Sequence, residues 1–382
     1  MKFLFTCGGT AGHINPAIAV AAQLRSQLPD CGILFIGAED RMEMDLVPRS
    51  GYEIKGVRIT NLSRSLSLSG LKHNAQTIRN VLQATGEAKR IIRVFEPDVV
   101  IGTGGYVCYP VLQAAHSLHI PTVIHESNAF PGLTTKMLAR EVDSVLVGFE
   151  ESVSLYPDAS RVEVTGTPVR REFSDYTRAS ARHELGIEED EKVVVSVWGS
   201  LGAGYMNDIM LSLIPKLQSR DFRLIHCTGK SYYEGFMEKL RRSAPDHALH
   251  GVEIREYIHD MPRLMMAADL ILCRAGASTL SELTFIGKPA LLIPSPNVTN
   301  NHQEINARVL EHAGGAKVLL EGEFTAEELL EEVRTLLSDA SRCEAMGKSM
   351  LSLSYQNAAE RIAARILSLA KVPERNEGEE NR

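Results

Sequence analysis

The stretch Lys2-Phe3-Leu4-Phe5-Thr6-Cys7-Gly8-Gly9-Thr10-Ala11-Gly12-His13, with Ile14-Asn15-Pro16 and an alanine-rich run to Leu28 behind it, predicts a strand, a glycine turn and a helix in that order. That order builds an anion site. The unpaired N–H groups of a helix's first turn point outward with the positive end of its dipole, and glycines there let a phosphate or a developing negative charge approach the main chain. His13 sits at the mouth of the turn, where an imidazole titrating near neutrality can take a proton from a substrate hydroxyl. Standing alone, it would read as a helix-start or packing residue. The rest of the chain has to decide.

Outward from this stretch, short apolar or β-branched runs alternate with longer helical patterns from end to end, the signature of parallel sheets with helices on both faces. Strands are expected near 2–7, 32–37, 98–102, 121–125 and 143–148, then near 192–198, 222–228, 252–257, 269–273 and 288–293. The fold class is therefore α/β, with a doubly wound parallel sheet in each half. The join is expected in Val162-Glu163-Val164-Thr165-Gly166-Thr167-Pro168-Val169-Arg170, giving domains 1–164 and 165–353. Ligands in such folds bind beyond the carboxyl ends of strands, so a cleft between the sheets is expected. The polar tail, 371–382, is expected to be disordered.

At 382 residues the chain exceeds what one core usually holds. A hydrophobic content of 44% with 23% charged residues describes a globular protein, and six scattered cysteines without a C-x-x-C pair suit reduced thiols. The apolar start is only a strand long and lacks a basic flank, so no secretory signal is expected. No apolar run is long enough to span a bilayer. The net charge of −7 argues against nucleic acid as a partner. Against that background, Arg58 to Phe95 holds seven basic residues and one acid, Glu87, a stretch suited to anionic lipid. The alternation Leu62-Ser63-Arg64-Ser65-Leu66-Ser67-Leu68-Ser69 is either an interfacial loop or a segment packing its leucines inward.

A second glycine turn, Gly102-Thr103-Gly104-Gly105-Tyr106, follows another buried strand; taken alone, Tyr106 would be a core ring with a satisfied hydroxyl. His125-Glu126-Ser127-Asn128 places polar side chains at a strand's carboxyl edge. In the second half, the strand 269–273 leads into Arg274-Ala275-Gly276-Ala277-Ser278-Thr279-Leu280-Ser281-Glu282. A helix start there can hold a diphosphate, and Glu282 can accept from two ribose hydroxyls. The alternative is a capping box with Ser278 as cap. Trp198-Gly199-Ser200-Leu201-Gly202-Ala203 is a further glycine turn, and Arg170 is placed to pair with phosphate. These residues put a phosphate-bearing donor in the second half and an acceptor with a base in the first. The first turn lacks the G-x-G-x-x-G spacing of dinucleotide sites, and no P-loop occurs.

In their order, and with His302-Gln303-Glu304-Ile305-Asn306-Ala307, these motifs resemble those of the MurG glycosyltransferases of bacterial peptidoglycan synthesis, over roughly residues 1–370. The resemblance implies a GT-B fold of two domains facing a cleft, whose last helix, Tyr355 to Leu369, crosses back so that 354–370 joins the first domain. It implies a hexosyltransferase moving N-acetylglucosamine, with inversion, from UDP-N-acetylglucosamine to lipid I to give lipid II. By the same resemblance Thr10, Ala11, Gly12 and Asn128 approach the donor sugar and acceptor, and Gly104, Gly105 and Tyr106 lie on the acceptor side. Arg170, Ser200, Ile258, Ala277, Ser278, Thr279, Leu280, Ser281, Glu282 and Gln303 would hold the nucleotide sugar.

An inverting transfer needs a base, for which His13 is the candidate with Glu126 competing, and charge stabilisation on departing UDP from the helix opening at Ala277 and from Arg170. No metal or other cofactor is required by this design, and no D-x-D motif occurs. The expected partners are UDP-N-acetylglucosamine, lipid I, an anionic membrane surface and other cell-wall synthesis enzymes. The expected location is the cytoplasmic face of the cell membrane, peripherally. Two departures stand out: some relatives have Gly-Gly-Ser-Gln-Gly at Trp198-Gly199-Ser200-Leu201-Gly202, and Asn-Pro-Val-Arg at Thr167-Pro168-Val169-Arg170. Competing readings are a UDP-N-acetylglucosamine 2-epimerase-like isomerase, which has no need of the acceptor-side turns, and a catalytically silent scaffold.

Overall fold

The computed structural model describes residues 1–59, 68–199, 202–217, 222–244 and 249–370, of which 68–78 and 299 by backbone alone. Residues 62–67 of the serine–leucine alternation, Ser200 and the tail 371–382 lie outside the described residues. The chain divides into two compact units, Met1–Pro168 with the chain from Asn357 onward, and Val169–Gln356. The division falls inside the Gly166-to-Arg170 segment.

The first unit is built on strands β1 (Lys2–Thr6), β2 (Gly32–Ala38), β3 (Glu53–Val57), β4 (Val99–Gly102), β5 (Thr122–Glu126), β6 (Ser144–Val147) and β7 (Val162–Val164), all parallel, in the order β3-β2-β1-β4-β5-β6-β7. Helices α1 (Ala11–Gln27), α2 (Glu43–Arg49), α3 (Leu68–Phe95), α4 (Cys108–His116) and α5 (Leu133–Leu138) connect them. β1 reads as an unbroken apolar run because both its faces are covered. Phe3 and Phe5 enter a core with α1 residues Ile14, Ala17, Val20 and Leu24. Leu4 enters the opposite core with Ala84, Ala88 and Ile92 of α3 and Val111 and Leu112 of α4. The chain returns to this unit in α14 (Ala358–Ala370), where Ile362, Ala363, Ile366 and Ala370 complete the α1-side core.

The second unit holds six parallel strands: β8 (Val193–Val197), β9 (Arg223–Cys227), β10 (Val252–Arg255), β11 (Leu270–Cys273), β12 (Ala290–Leu292) and β13 (Ala316–Val318), in the order β10-β9-β8-β11-β12-β13. Its helices are α6 (Arg178–Glu184), α7 (Gly204–Leu213), α8 (Tyr233–Ser243), α9 (Met261–Ala267), α10 (Ala277–Ile286), α11 (His302–His312), α12 (Ala326–Ser338) and α13 (Ala340–Ser352). Met206, Met210 and Leu213 of α7 and Leu329, Val333 and Leu336 of α12 share a core with Val194, Leu224, Leu270 and Leu291. In both sheets the order reverses beside the first strand, between β1 and β4 and between β8 and β11. That is the switch point where the loops after adjacent strands part and leave room for a ligand.

The ten expected strands are present, and three more join them. β3 and β13 are edge strands carrying Glu53, Lys55 and Lys317, and β7 is the three-residue Val-Glu-Val read as the start of the join. Among the described residues, no helix is long and apolar enough to cross a membrane.

Candidate active site

In the first unit the turns after β1 and β4 pack directly on one another. Gly8 N–H donates to the Gly104 carbonyl at 3.3 Å. A Cβ on Gly105, whose φ is +89°, would lie 2.3 Å from the Gly8 carbonyl oxygen, so only glycine fits there. Thr10 is the extended N-cap of α1, with Ala11 and Gly12 opening the helix, whose first turn carries no acid. His13 follows, its ring against Gly104. Its Nδ1 lies 3.0 Å from the Gly8 carbonyl oxygen. A carbonyl only accepts, so Nδ1 is the donor, and in the neutral ring Nε2 is then the nitrogen with the lone pair. Thr103 Oγ1 donates to the His13 carbonyl at 2.7 Å, tying the second turn to the start of α1.

Tyr106 follows the paired glycines. Its ring packs on the core as expected, but its buried hydroxyl finds no partner among the described residues. At the end of β5, His125 is buried and its Nε2 bonds the Gly166 carbonyl at 2.9 Å; burial lowers its pKa, which keeps it neutral. Glu126 is only 5% exposed, and both its oxygens are taken. Oε1 accepts from Asn128 N at 3.1 Å and Asn128 Nδ2 at 2.9 Å; Oε2 accepts from Gly132 N at 2.9 Å and Thr135 Oγ1 at 2.7 Å.

In the second unit, α10 starts at Ala277 with Gly276 as N-cap and no side-chain cap. Ser278, Thr279, Leu280 and Ser281 therefore lie inside the first turns, and the capping box centred on Ser278 is not the arrangement found. Ser281 Oγ turns back to the Ala277 carbonyl at 3.0 Å. Glu282 is buried and meets Arg170, whose Nη2 lies 3.4 Å from Oε1. Burial raises the Glu282 pKa to about 7, while Arg170 pulls it down. Arg170 also lies over the Phe173 ring at 5.4 Å, and its buried Nε has no partner among the described residues.

Gln303, at the start of α11, accepts from Ser295 N through Oε1 at 2.9 Å, which leaves its amide N–H₂ as a donor. Ile258 is buried after β10. Gly202, φ +75°, lies so close to Thr228 that a Cβ would meet that carbonyl oxygen at 2.0 Å. Among the described residues, no group of three or more His, Cys, Asp or Glu side chains could hold a metal ion.

Two residues without an expected role stand out. Arg274 Nη1 donates to the Ile293 and Pro294 carbonyls at 3.0 and 3.3 Å, fixing the loop after β12 to the loop before α10. Glu43 is fully buried beneath the first glycine turn. Arg274 directly follows the strand 269–273, where its charge is visible in the sequence. Glu43 gave no signal, because its partners are backbone N–H groups that are invisible to residue type.

Two parallel sheets, one with paired glycine turns and an oriented histidine, the other with an uncapped helix start beside an arginine–carboxylate pair, define a GT-B enzyme of nucleotide-sugar chemistry. The chain belongs to glycosyltransferase family 28, among the MurG transferases: the family's N-terminal domain matches residues 3–147 and its C-terminal domain residues 193–365. It is 44% identical over 372 residues to the UDP-N-acetylglucosamine–N-acetylmuramyl-(pentapeptide) pyrophosphoryl-undecaprenol N-acetylglucosamine transferase of Acetivibrio thermocellus, covering 97% of this chain and 99% of that one. The crystal structure of Acinetobacter baumannii MurG superimposes with a TM-score of 0.74 at 27% identity, covering 96% and 99%. A UDP-GlcNAc 2-epimerase from Neisseria meningitidis matches with a TM-score of 0.67 at 17% identity, covering 96% and 100%, a likeness of fold.

Proposed function

We propose that this protein moves N-acetylglucosamine from UDP-N-acetylglucosamine to the 4-hydroxyl of the muramic acid in undecaprenyl-pyrophosphoryl-N-acetylmuramoyl-pentapeptide, lipid I, with inversion, giving lipid II. The observation that carries the chemistry is the held imidazole: with Nδ1 donating to Gly8, Nε2 of His13 is the atom that can take a proton. The acceptor oxygen attacks the anomeric carbon, its proton passes to Nε2, and the bond to UDP breaks with both electrons on the phosphate. Arg170 and the first turn of α10, from Ala277 to Ser281, stabilise that developing charge. Glu282 accepts from the ribose hydroxyls, Gln303 donates to the sugar, Ile258 meets the uracil edge through its main chain, and Ser200 completes the donor set.

On the acceptor side, Thr10, Ala11 and Gly12 line the approach, and Gly104, Gly105 and Tyr106 complete it, Tyr106 offering its unpartnered hydroxyl. Glu126, with its oxygens already occupied by four donors, orients Asn128 toward the sugar and leaves the base to His13. Peripheral attachment to the cytoplasmic face of the membrane is part of the proposal. It is supported by Arg79, Lys89, Arg90 and Arg93 on α3, beside the exposed Leu82 and Val94. Each basic residue near an anionic surface contributes about 1 kcal/mol, so co-sedimentation with anionic vesicles should weaken with salt; salt-independent binding counts against it.

The test combines purified protein, labelled UDP-N-acetylglucosamine and a short-chain lipid I analogue. Acceptor-dependent disaccharide with one UDP released per transfer is expected, and His13→Ala should lower turnover by about 10²-fold. UDP or N-acetylmannosamine appearing without acceptor would replace the transferase reading with an isomerase.

A further inference from the structure

Resting on His13 as the base, we infer that Glu43 is its positioning carboxylate, acting through a single peptide group. The Gly9 N–H and the Gly8 carbonyl are the two ends of one trans peptide, so they point in opposite directions. On one side Glu43 Oε2 accepts from Gly9 N at 3.1 Å; on the other, His13 Nδ1 donates to the Gly8 oxygen at 3.0 Å. The order is carboxylate, peptide, imidazole. Glu43 cannot drift, because it opens α2 fully buried and its Oε1 accepts from Ala38 N at the end of β2 at 3.0 Å. A Cβ on Gly8 would stand 2.3 Å from that oxygen, so the turn is shaped around the carboxylate.

The consequence for the base follows from polarisation along a hydrogen-bond chain. A carboxylate on the N–H end makes the carbonyl end a stronger acceptor, which favours the proton on Nδ1 and leaves Nε2 to receive the substrate's proton. It also stabilises the imidazolium that forms. In a Ser-His-Asp triad the carboxylate does this by touching the imidazole; here a peptide stands between them. Burial disfavours charge on three titratable groups around the turn: it lowers the His125 pKa, pushes the Cys108 thiol up to about 12 and raises the buried Cys7 thiol likewise. A buried glutamate could instead serve only to close the β2–α2 corner, in which case the imidazole would be indifferent to it.

Two measurements separate these roles. In wild-type protein labelled with 15N-histidine, with the His13 signal assigned from a His13→Gln spectrum, the neutral ring should be the Nδ1–H tautomer. Glu43→Gln, which has one acceptor for two N–H groups, and Glu43→Ala, which has none, should lower kcat by about 10- to 100-fold, the scale of a misplaced catalytic group. KM for UDP-N-acetylglucosamine should stay within about twofold, because the residues assigned to the nucleotide lie in the other unit, and both variants should show mixed tautomers. An Nδ1-bare ring in the wild type overturns the inference even if neither variant folds. So does a folded variant with wild-type kcat. Full turnover by His13→Ala would instead remove the base assignment itself, so the two failures are distinguishable.

Discussion

At the scale of single residues, Glu282 carries a pH signature. Its pKa of about 7 lies above the ordinary value of 4.5, so between those limits the folded protein holds a proton that the unfolded chain has released. Ribose hydroxyls donate to a carboxylate and therefore select the ionised form. UDP-N-acetylglucosamine affinity should accordingly fall as pH drops below about 7, by up to about tenfold per unit. Glu282→Gln should bind more weakly and with little slope, as titration calorimetry between pH 5.5 and 8 would reveal; an identical slope in the variant sinks the assignment. As candidates, His13, Arg170 and Glu282 stood out in the sequence because each lies in or just beyond a glycine-containing segment that follows a strand. What was not legible was geometry: the taken oxygens of Glu126, the bare hydroxyl of Tyr106, and Gly276 rather than Ser278 as cap.

Among the elements, the glycine turns are the ones least tolerant of change. Gly105→Ala must place a side chain at positive φ and against the Gly8 carbonyl, and should cost at least about 2 kcal/mol. Gly86 is the contrast, a helical glycine in α3 with open space around its Cβ position. Gly86→Ala should stabilise by about 0.5–1 kcal/mol through helix propensity. Urea midpoints of the two variants should move in opposite directions; a neutral Gly105→Ala would contradict the close packing of the turns. Strands with both faces covered were readable as apolar runs, β1 and β8 above all. β3, β7 and β13 were not, because each sets charged residues among small or branched ones with no apolar run of its own.

For the whole molecule, the governing feature is that one unit is continuous and the other is not. The two-sheet organisation was legible in the alternation of strand and helix, whereas the return of the chain to the first sheet was legible only through family resemblance. Ending the chain after Gln356 would strip Ile362 and Ile366 from the α1-side core, each worth about 1.5–3 kcal/mol. The truncated protein should lose the cooperative unfolding of the first unit yet still bind UDP through the second; two intact transitions in calorimetry would contradict this. The same feature sets a clock during synthesis. The first sheet leaves the ribosome early, but its closing helix comes roughly 200 residues later, roughly 10–40 s at common elongation rates. The half of the enzyme made first is thus finished last, and until then the α1 side of its sheet is open to whatever in the cell holds unfinished chains.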